Sequence, residues 1–164
     1  MSKWPHQSEV DGFYGDPRGE GGEENKKWVA ENIIRLPAPW SLVTAWDFMP
    51  VKGVRIHKKC EESLSRIFLE IWQAAGEDQK KINEWGMSLY AGGFNYRLMR
   101  GSSRLSMHSW GCAIDFDSAR NSFGDKSPNF ALLPAVRGAF EREGWTWGGG
   151  WEKPDGMHWQ AADI

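Results

Sequence analysis

The strongest periodic pattern in the chain runs from Lys58 to Ala75, where Cys60, Leu64, Ile67, Phe68, Ile71 and Trp72 recur at i, i+4, i+7 and i+8 spacing. That stripe predicts a core-facing helix, with Gly76 as its stop. A second helix is predicted over Ala131–Glu143, where Leu133, Val136 and Phe140 lie at helical spacing. Pro134 fits its first turn and Gly144 its end. The AIDFD segment, Ala113–Asp117, alternates strictly and predicts a strand: Ile114 and Phe116 take one face, Ala113, Asp115 and Asp117 the other. Trp85–Tyr96 is apolar and aromatic but broken by Gly92 and Gly93, which reads as a strand with a bulge or close backbone approach. The stretch GWTWGGGWEKPDGMHWQ near the end reads as a turn-rich pair of short strands. Asn25–Leu36 has helical character before Pro37 and Pro39 interrupt it, and Met1–Glu24 reads as a loop-rich arm that Trp4, Phe13 and Tyr14 can pin down. The expected architecture is one α+β domain over residues 1–164, a small, mainly antiparallel sheet with two helices packed behind it. There is no repeat and no linker.

Composition narrows the function classes. The 164 residues carry a formal charge of -2, with 20 basic and 22 acidic side chains, so there is no global basic field to drive nucleic-acid binding. No apolar run is long enough for a membrane span, and the N-terminus lacks the apolar stretch of a secretory signal. The expectation is synthesis in the cytoplasm, where Cys60 and Cys112 stay reduced. The excess of 11 Trp and 19 Gly points either to a Trp-rich core or to a recognition surface.

Only four histidines are present, and two of them stand near carboxylates: His108 in SMHSWGCAIDFD and His158 in DGMHWQ. A catalytic zinc site needs three protein ligands and an open fourth position, and His108, Asp115 and His158 can supply the three. On one helix, residues seven apart would lie about 10 Å from each other, too far for one metal. His108 must therefore precede the strand in a loop that Gly111 turns back toward Asp115. Asp155 and His158 would point oppositely in an unbroken strand, so Gly156 is expected to kink the chain between them. A carboxylate beside a metal-activated water is what amide hydrolysis requires, and Asp155 is the candidate base. For a single His near a single Asp, an ordinary structural histidine remains the alternative.

The segment GGFNYRLMRGSSRLSMHSWGCAIDFDSARN, followed by GWTWGGGWEKPDGMHWQ, resembles the M15 family of zinc peptidases, the group of D-alanyl-D-alanine carboxypeptidases and L-alanyl-D-glutamate endopeptidases that includes bacteriophage endolysins. The Ser-x-His-x-x-Gly-x-Ala-x-Asp pattern is met by Ser106, His108, Gly111, Ala113 and Asp115, and the later carboxylate-x-x-His-Trp pattern by Asp155, His158 and Trp159. The likeness is carried by residues from about 90 to 160. It implies a hedgehog/DD-peptidase-like fold whose sheet carries one Zn²⁺ per chain on His108, Asp115 and His158. It further implies Asp155 as catalytic acid/base and Arg97 as the cation on the substrate, with Arg100 and Arg104 close enough to compete for that role. The implied substrate is the peptidoglycan stem peptide, cut by a monomer after release from the cell that made it, with a phage or prophage origin open. The endolysin-type L-alanyl-D-glutamate endopeptidase is the first expectation. A D-alanyl-D-alanine carboxypeptidase, or a noncatalytic wall-binding protein on the same fold, are the alternatives.

Trp110, Trp151 and Trp159 flank the ligands and are expected as walls of the substrate site, together with Trp145 and Trp147. Ser106 is expected within the ligand loop. His57 is read as a structural or surface residue, Cys112 as packing, and Asp117 as either an orienting partner of a ligand imidazole or a solvated strand end.

Overall fold

The computed structural model describes residues 3–164. Its elements are helices α1 (Val10–Tyr14), α2 (Lys26–Asn32), α3 (Glu61–Ala74), α4 (Gln79–Trp85) and α5 (Pro134–Arg142), and strands β1 (Ile33–Leu36), β2 (Leu42–Thr44), β3 (Pro50–Val51), β4 (Val54–His57), β5 (Leu89–Gly92), β6 (Ala113–Phe116), β7 (Thr146–Trp147) and β8 (His158–Gln160). β1 and β4 form a two-stranded antiparallel sheet, and the other six strands lie in the order β3-β2-β5-β6-β8-β7. In the larger sheet only the β2–β5 pair is parallel. The fold is α+β, with helix and sheet segregated rather than alternating.

The α3 stripe does what its spacing predicts. Leu64, Ile67, Phe68 and Ile71 are fully buried, and each contributes roughly 1.5–3 kcal/mol by leaving water. α3 packs on α5, whose Val136, Ala139 and Phe140 complete the layer behind the sheet. Pro134 stands at the start of α5, where its missing N–H costs nothing.

Three expectations change. The loop-rich arm is a packed element: Trp4, Val10 and Tyr14 are buried, and the Tyr14 hydroxyl donates to the Ala161 carbonyl at 2.7 Å. The helix starting near Asn25 ends at Asn32, and Ile33–Leu36 turns into a strand paired with Val54–His57. The long strand expected over Trp85–Tyr96 is confined to β5, because Trp85 instead closes α4, which Asp78 caps at its N-terminus and Gly86 ends at φ 81°.

His57 is a structural residue. Its Nδ1 accepts from the Lys59 backbone N–H at 3.0 Å, so its Nε2 carries the proton and donates to the Tyr14 carbonyl at 2.9 Å. The ring thereby ties the arm to the start of the long helix.

Candidate metal centre and active site

The centre of the site is a cross-strand pair. Asp115 on β6 stands directly opposite His158 on β8, and partners in an antiparallel ladder point to the same face. His108 comes from a 3-10 turn, Met107–Trp110, which the Ser106 hydroxyl caps by accepting from the His108 N–H. Gly111, at φ 72°, then reverses the chain into β6. The loop-then-strand route required by the seven-residue spacing is the route taken.

Asp115 Oδ2 lies 3.2 Å from His108 Nε2, and its Oδ1 lies 3.0 Å from His158 Nδ1. The remaining ring nitrogens are committed elsewhere. His108 Nδ1 donates to the Gly93 carbonyl at 2.8 Å, and His158 Nε2 donates to Gln160 Oε1 at 2.9 Å. Gln160 cannot reverse its amide without loss, because its Nε2 donates to the Ala162 carbonyl at 3.1 Å. With both distal N–H groups so held, His108 Nε2 and His158 Nδ1 turn bare lone pairs toward a carboxylate. Three acceptors meeting in a buried place require a cation between them, a proton or a metal ion.

One donor atom from each of the three residues lies within 4.8 Å of the others, so the group can hold a metal ion. The outer partners match what such ligands need: a carbonyl and an amide that fix tautomer and ring orientation. Burial opposes the charge of Asp115, yet the facing imidazoles outweigh it and hold the carboxyl far below its ordinary value. Burial likewise disfavours a charged His158, but Asp115 and Asp155 overcome it and raise the ring's affinity for a proton. Both shifts express the same local demand for positive charge.

Asp155 approaches the group from the turn before β8, its Oδ2 4.0 Å from His158 Nδ1. The His158 N–H donates to the Asp155 carbonyl at 3.1 Å, closing a turn that brings both side chains to one side. Gly156 is needed there for space: a Cβ at that position would stand 2.4 Å from Pro128 Cβ. Burial pushes the Asp155 carboxyl above its ordinary value, while the His158 and Arg100 charges pull it back.

The remaining expected site residues separate. Trp151 is half-buried with its ring 5.5 Å from that of His158, so it stands at the site. Trp159 does not: it is fully buried, stacked on Phe140 at 4.4 Å, on the opposite face of β8 from His158. Trp110 is also buried, donating to Asp11 of the arm at 2.9 Å and lying under the Arg18 guanidinium. Trp145 is a core residue donating to Ser63, whereas Trp147 is half-buried and donates to the Gly156 carbonyl, steadying the Asp155 turn. Arg97 is exposed, and its guanidinium donates to the Leu98 carbonyl. Arg100, also exposed, sits 5.1 Å over the Phe123 ring, and Phe123 bridges to Asp155. Asp117 meets neither expectation, being buried and paired with Arg120 at 2.6 Å. Cys112 is buried, with its thiol pKa well above the ordinary value because of burial, which leaves it inert.

Sequence reasoning missed Gln160 and the Gly93 carbonyl. Gln160 was within reach, since strand alternation puts it on the same face as His158. Gly93 was not, because a backbone acceptor leaves no trace in residue type.

Among the described residues no helix is long and apolar enough to cross a membrane. No curated protein and no solved structure matches the chain. A family model described as D-alanyl-D-alanine carboxypeptidase matches residues 100–161. The segment that contains His108, Asp115, Asp155 and His158 is therefore similar to that of the M15 family peptidases.

Proposed function

We propose that this chain is a zinc peptidase that hydrolyses a bond in the stem peptide of bacterial peptidoglycan. The observation that carries the reading is the convergence of the His108, Asp115 and His158 lone pairs beside the Asp155 carboxyl. Two imidazoles and a carboxylate are a usual donor set for catalytic zinc, whose Lewis acidity polarises a carbonyl and makes water acidic enough to give up its proton near neutrality.

The chain's own groups supply the rest. The Asp155 carboxylate takes a proton from the attacking water and returns it to the leaving amine, a role its position 4.0 Å from His158 Nδ1 allows. The Gly93 carbonyl and Gln160 hold the imidazoles in the required tautomers. Arg100, which lies over Phe123 and whose charge acts on Asp155, holds a substrate carboxylate or the developing oxyanion, the role expected of Arg97. Trp151 forms one wall and limits water near the reacting carbonyl.

The L-alanyl-D-glutamate bond is the first assignment. It follows from the endolysin-type resemblance, and there is room beside Asp115 for a chain to continue: a Cβ at Gly92, on the same face, would meet nothing within 4 Å. An enzyme cutting within a chain needs such an exit. The terminal D-alanyl-D-alanine bond is the second reading, favoured by the description of the matching family model. Mass spectrometry of digested peptidoglycan separates them, because an L-Ala/D-Glu cut frees the stem from D-Glu onward whereas the carboxypeptidase removes one terminal D-Ala. Loss of a single D-Ala, with the L-Ala/D-Glu bond intact, would overturn the first assignment.

A further inference from the structure

The turn joining β2 to β3 exposes three large apolar side chains that folding does not explain. Trp46 is 66% exposed, Phe48 66% and Met49 58%. Solitary exposed apolar residues are ordinary, but a group within four consecutive positions marks a contact surface. The turn is also held in shape. Phe48 donates its N–H to the Thr44 carbonyl at 3.0 Å, Thr44 donates to the Met49 carbonyl at 2.9 Å, and the Thr44 hydroxyl bonds Asp47 and accepts from the Met49 N–H. Phe48 is kept at φ 57°, a left-handed conformation that costs a non-glycine residue of order 1 kcal/mol.

Register locates this turn relative to the metal group. Thr44 is level with Tyr90 on β5, and the Ala45 N–H donates to the Tyr90 carbonyl at 2.9 Å, so the turn begins where β5 proceeds to Gly92. Gly92 is the cross-strand partner of Asp115, brought to the same face by the irregularity between Tyr90 and Gly92. Two strand spacings, about 10 Å, thus separate the line of β2 from that of Asp115. Between them the floor is Gly92, with open space where its side chain would be. The turn therefore leaves the sheet at the end where β5 reaches Gly92, two strands from Asp115.

We propose that Trp46, Phe48 and Met49 form a platform for the sugar rings of the glycan strand to which the stem peptide is attached. The proposal rests on the peptidoglycan reading above. A polymer bound at the metal group must extend beyond it, and there is room beside Gly92, where a Cβ would meet nothing within 4 Å. Sugar rings present C–H faces that pack on aromatic faces, and hydroxyls that stay in water. Charge argues for this neutral partner over an anionic membrane, since residues 41–51 include no Lys or Arg and the turn carries Asp47.

The test uses Trp46→Ala and Phe48→Gly, the latter compatible with positive φ, in the full chain loaded with zinc. Cleavage is compared on a sugar-free stem peptide and on the same peptide attached to glycan, and retention is measured on a bare neutral glycan, immobilised N-acetylglucosamine oligomers, and on anionic phospholipid vesicles. The expected result is a loss of about 5- to 30-fold in kcat/KM on the glycan-attached substrate, with the free peptide within twofold of wild type and retention on bare glycan reduced. Equal losses on both substrates, no loss on either, or a defect confined to vesicles would overturn the platform. If wild type cleaves neither substrate, the peptidase reading fails instead. Retention on bare glycan then still decides: its loss in Trp46→Ala upholds the platform, and its absence in wild type overturns it.

Discussion

Gln160 Oε1 accepts the His158 Nε2 proton at 2.9 Å, while the other end of the same amide is anchored on the Ala162 carbonyl at 3.1 Å. This fixes which nitrogen of His158 faces Asp115. A ring free to exchange tautomers would spend part of its time with a proton where a metal lone pair is needed.

Gln160→Ala is therefore expected to weaken zinc binding by roughly 10- to 100-fold, the usual cost of losing a partner behind a metal ligand. Competition with a chromogenic chelator measures it. An unchanged affinity would mean that the amide has no part in presenting the imidazole.

Gly156→Ala places a Cβ 2.4 Å from Pro128 Cβ, with carbon on both sides of the clash. The expected outcome is destabilisation of about 1–3 kcal/mol together with a fall in kcat, because the Asp155 turn must shift. Gly150→Ala, where a Cβ meets nothing within 4 Å, is the matched control and is expected to be near neutral in both readouts. Chemical denaturation and steady-state kinetics on the two variants decide it.

The His57 ring links stability to pH. Burial, with Lys59 and Lys58 nearby, lowers its pKa from 6.5 to about 4, despite its bond to the Tyr14 carbonyl. The unfolded chain thus binds the proton more readily, so this contribution is fully present above pH 6.5 and is lost as pH falls from there toward 4. The loss reaches about 3 kcal/mol when both states are protonated. Urea midpoints of wild type and His57→Asn at several pH values test this: the gap between them is expected to narrow on acidification, and a constant gap would remove His57 as the source.

Asp155→Asn keeps the shape of the turn but removes the proton acceptor. Turnover is expected to drop by about 10²- to 10⁴-fold with metal content unchanged. Loss of metal along with activity would make Asp155 a ligand.

The legible parts of the sequence were those in which one residue type can satisfy only one environment. The α3 stripe, the alternation of Ala113–Asp117 and the Pro134 and Gly144 boundaries each place apolar or backbone-special residues where few alternatives exist, and the corresponding elements form. α4 was missed because it buries a single large residue, Ile82, although Asp78 and Gly86 were available as cap signals. The β1–β4 pair was missed because its four-residue strands have too little alternation to stand apart from loop. At the site, proximity in sequence misled where side-chain direction decides: Trp159 is next to His158 but on the other face of β8, and Trp110 is two residues from His108 but turned to the arm. Which of Arg97 and Arg100 lies over Phe123, beside Asp155, depends on how the 97–106 loop folds back, and no local pattern encodes that.

The most direct measurement is the release of new amino termini from purified peptidoglycan, followed before and after removal of metal from the protein and after zinc is restored. Release by the loaded enzyme, its abolition by chelation and its recovery with one zinc per chain are the expected results. Release that survives complete removal of metal, or none from protein holding stoichiometric zinc, would contradict the central claim that His108, Asp115 and His158 build a catalytic metal site.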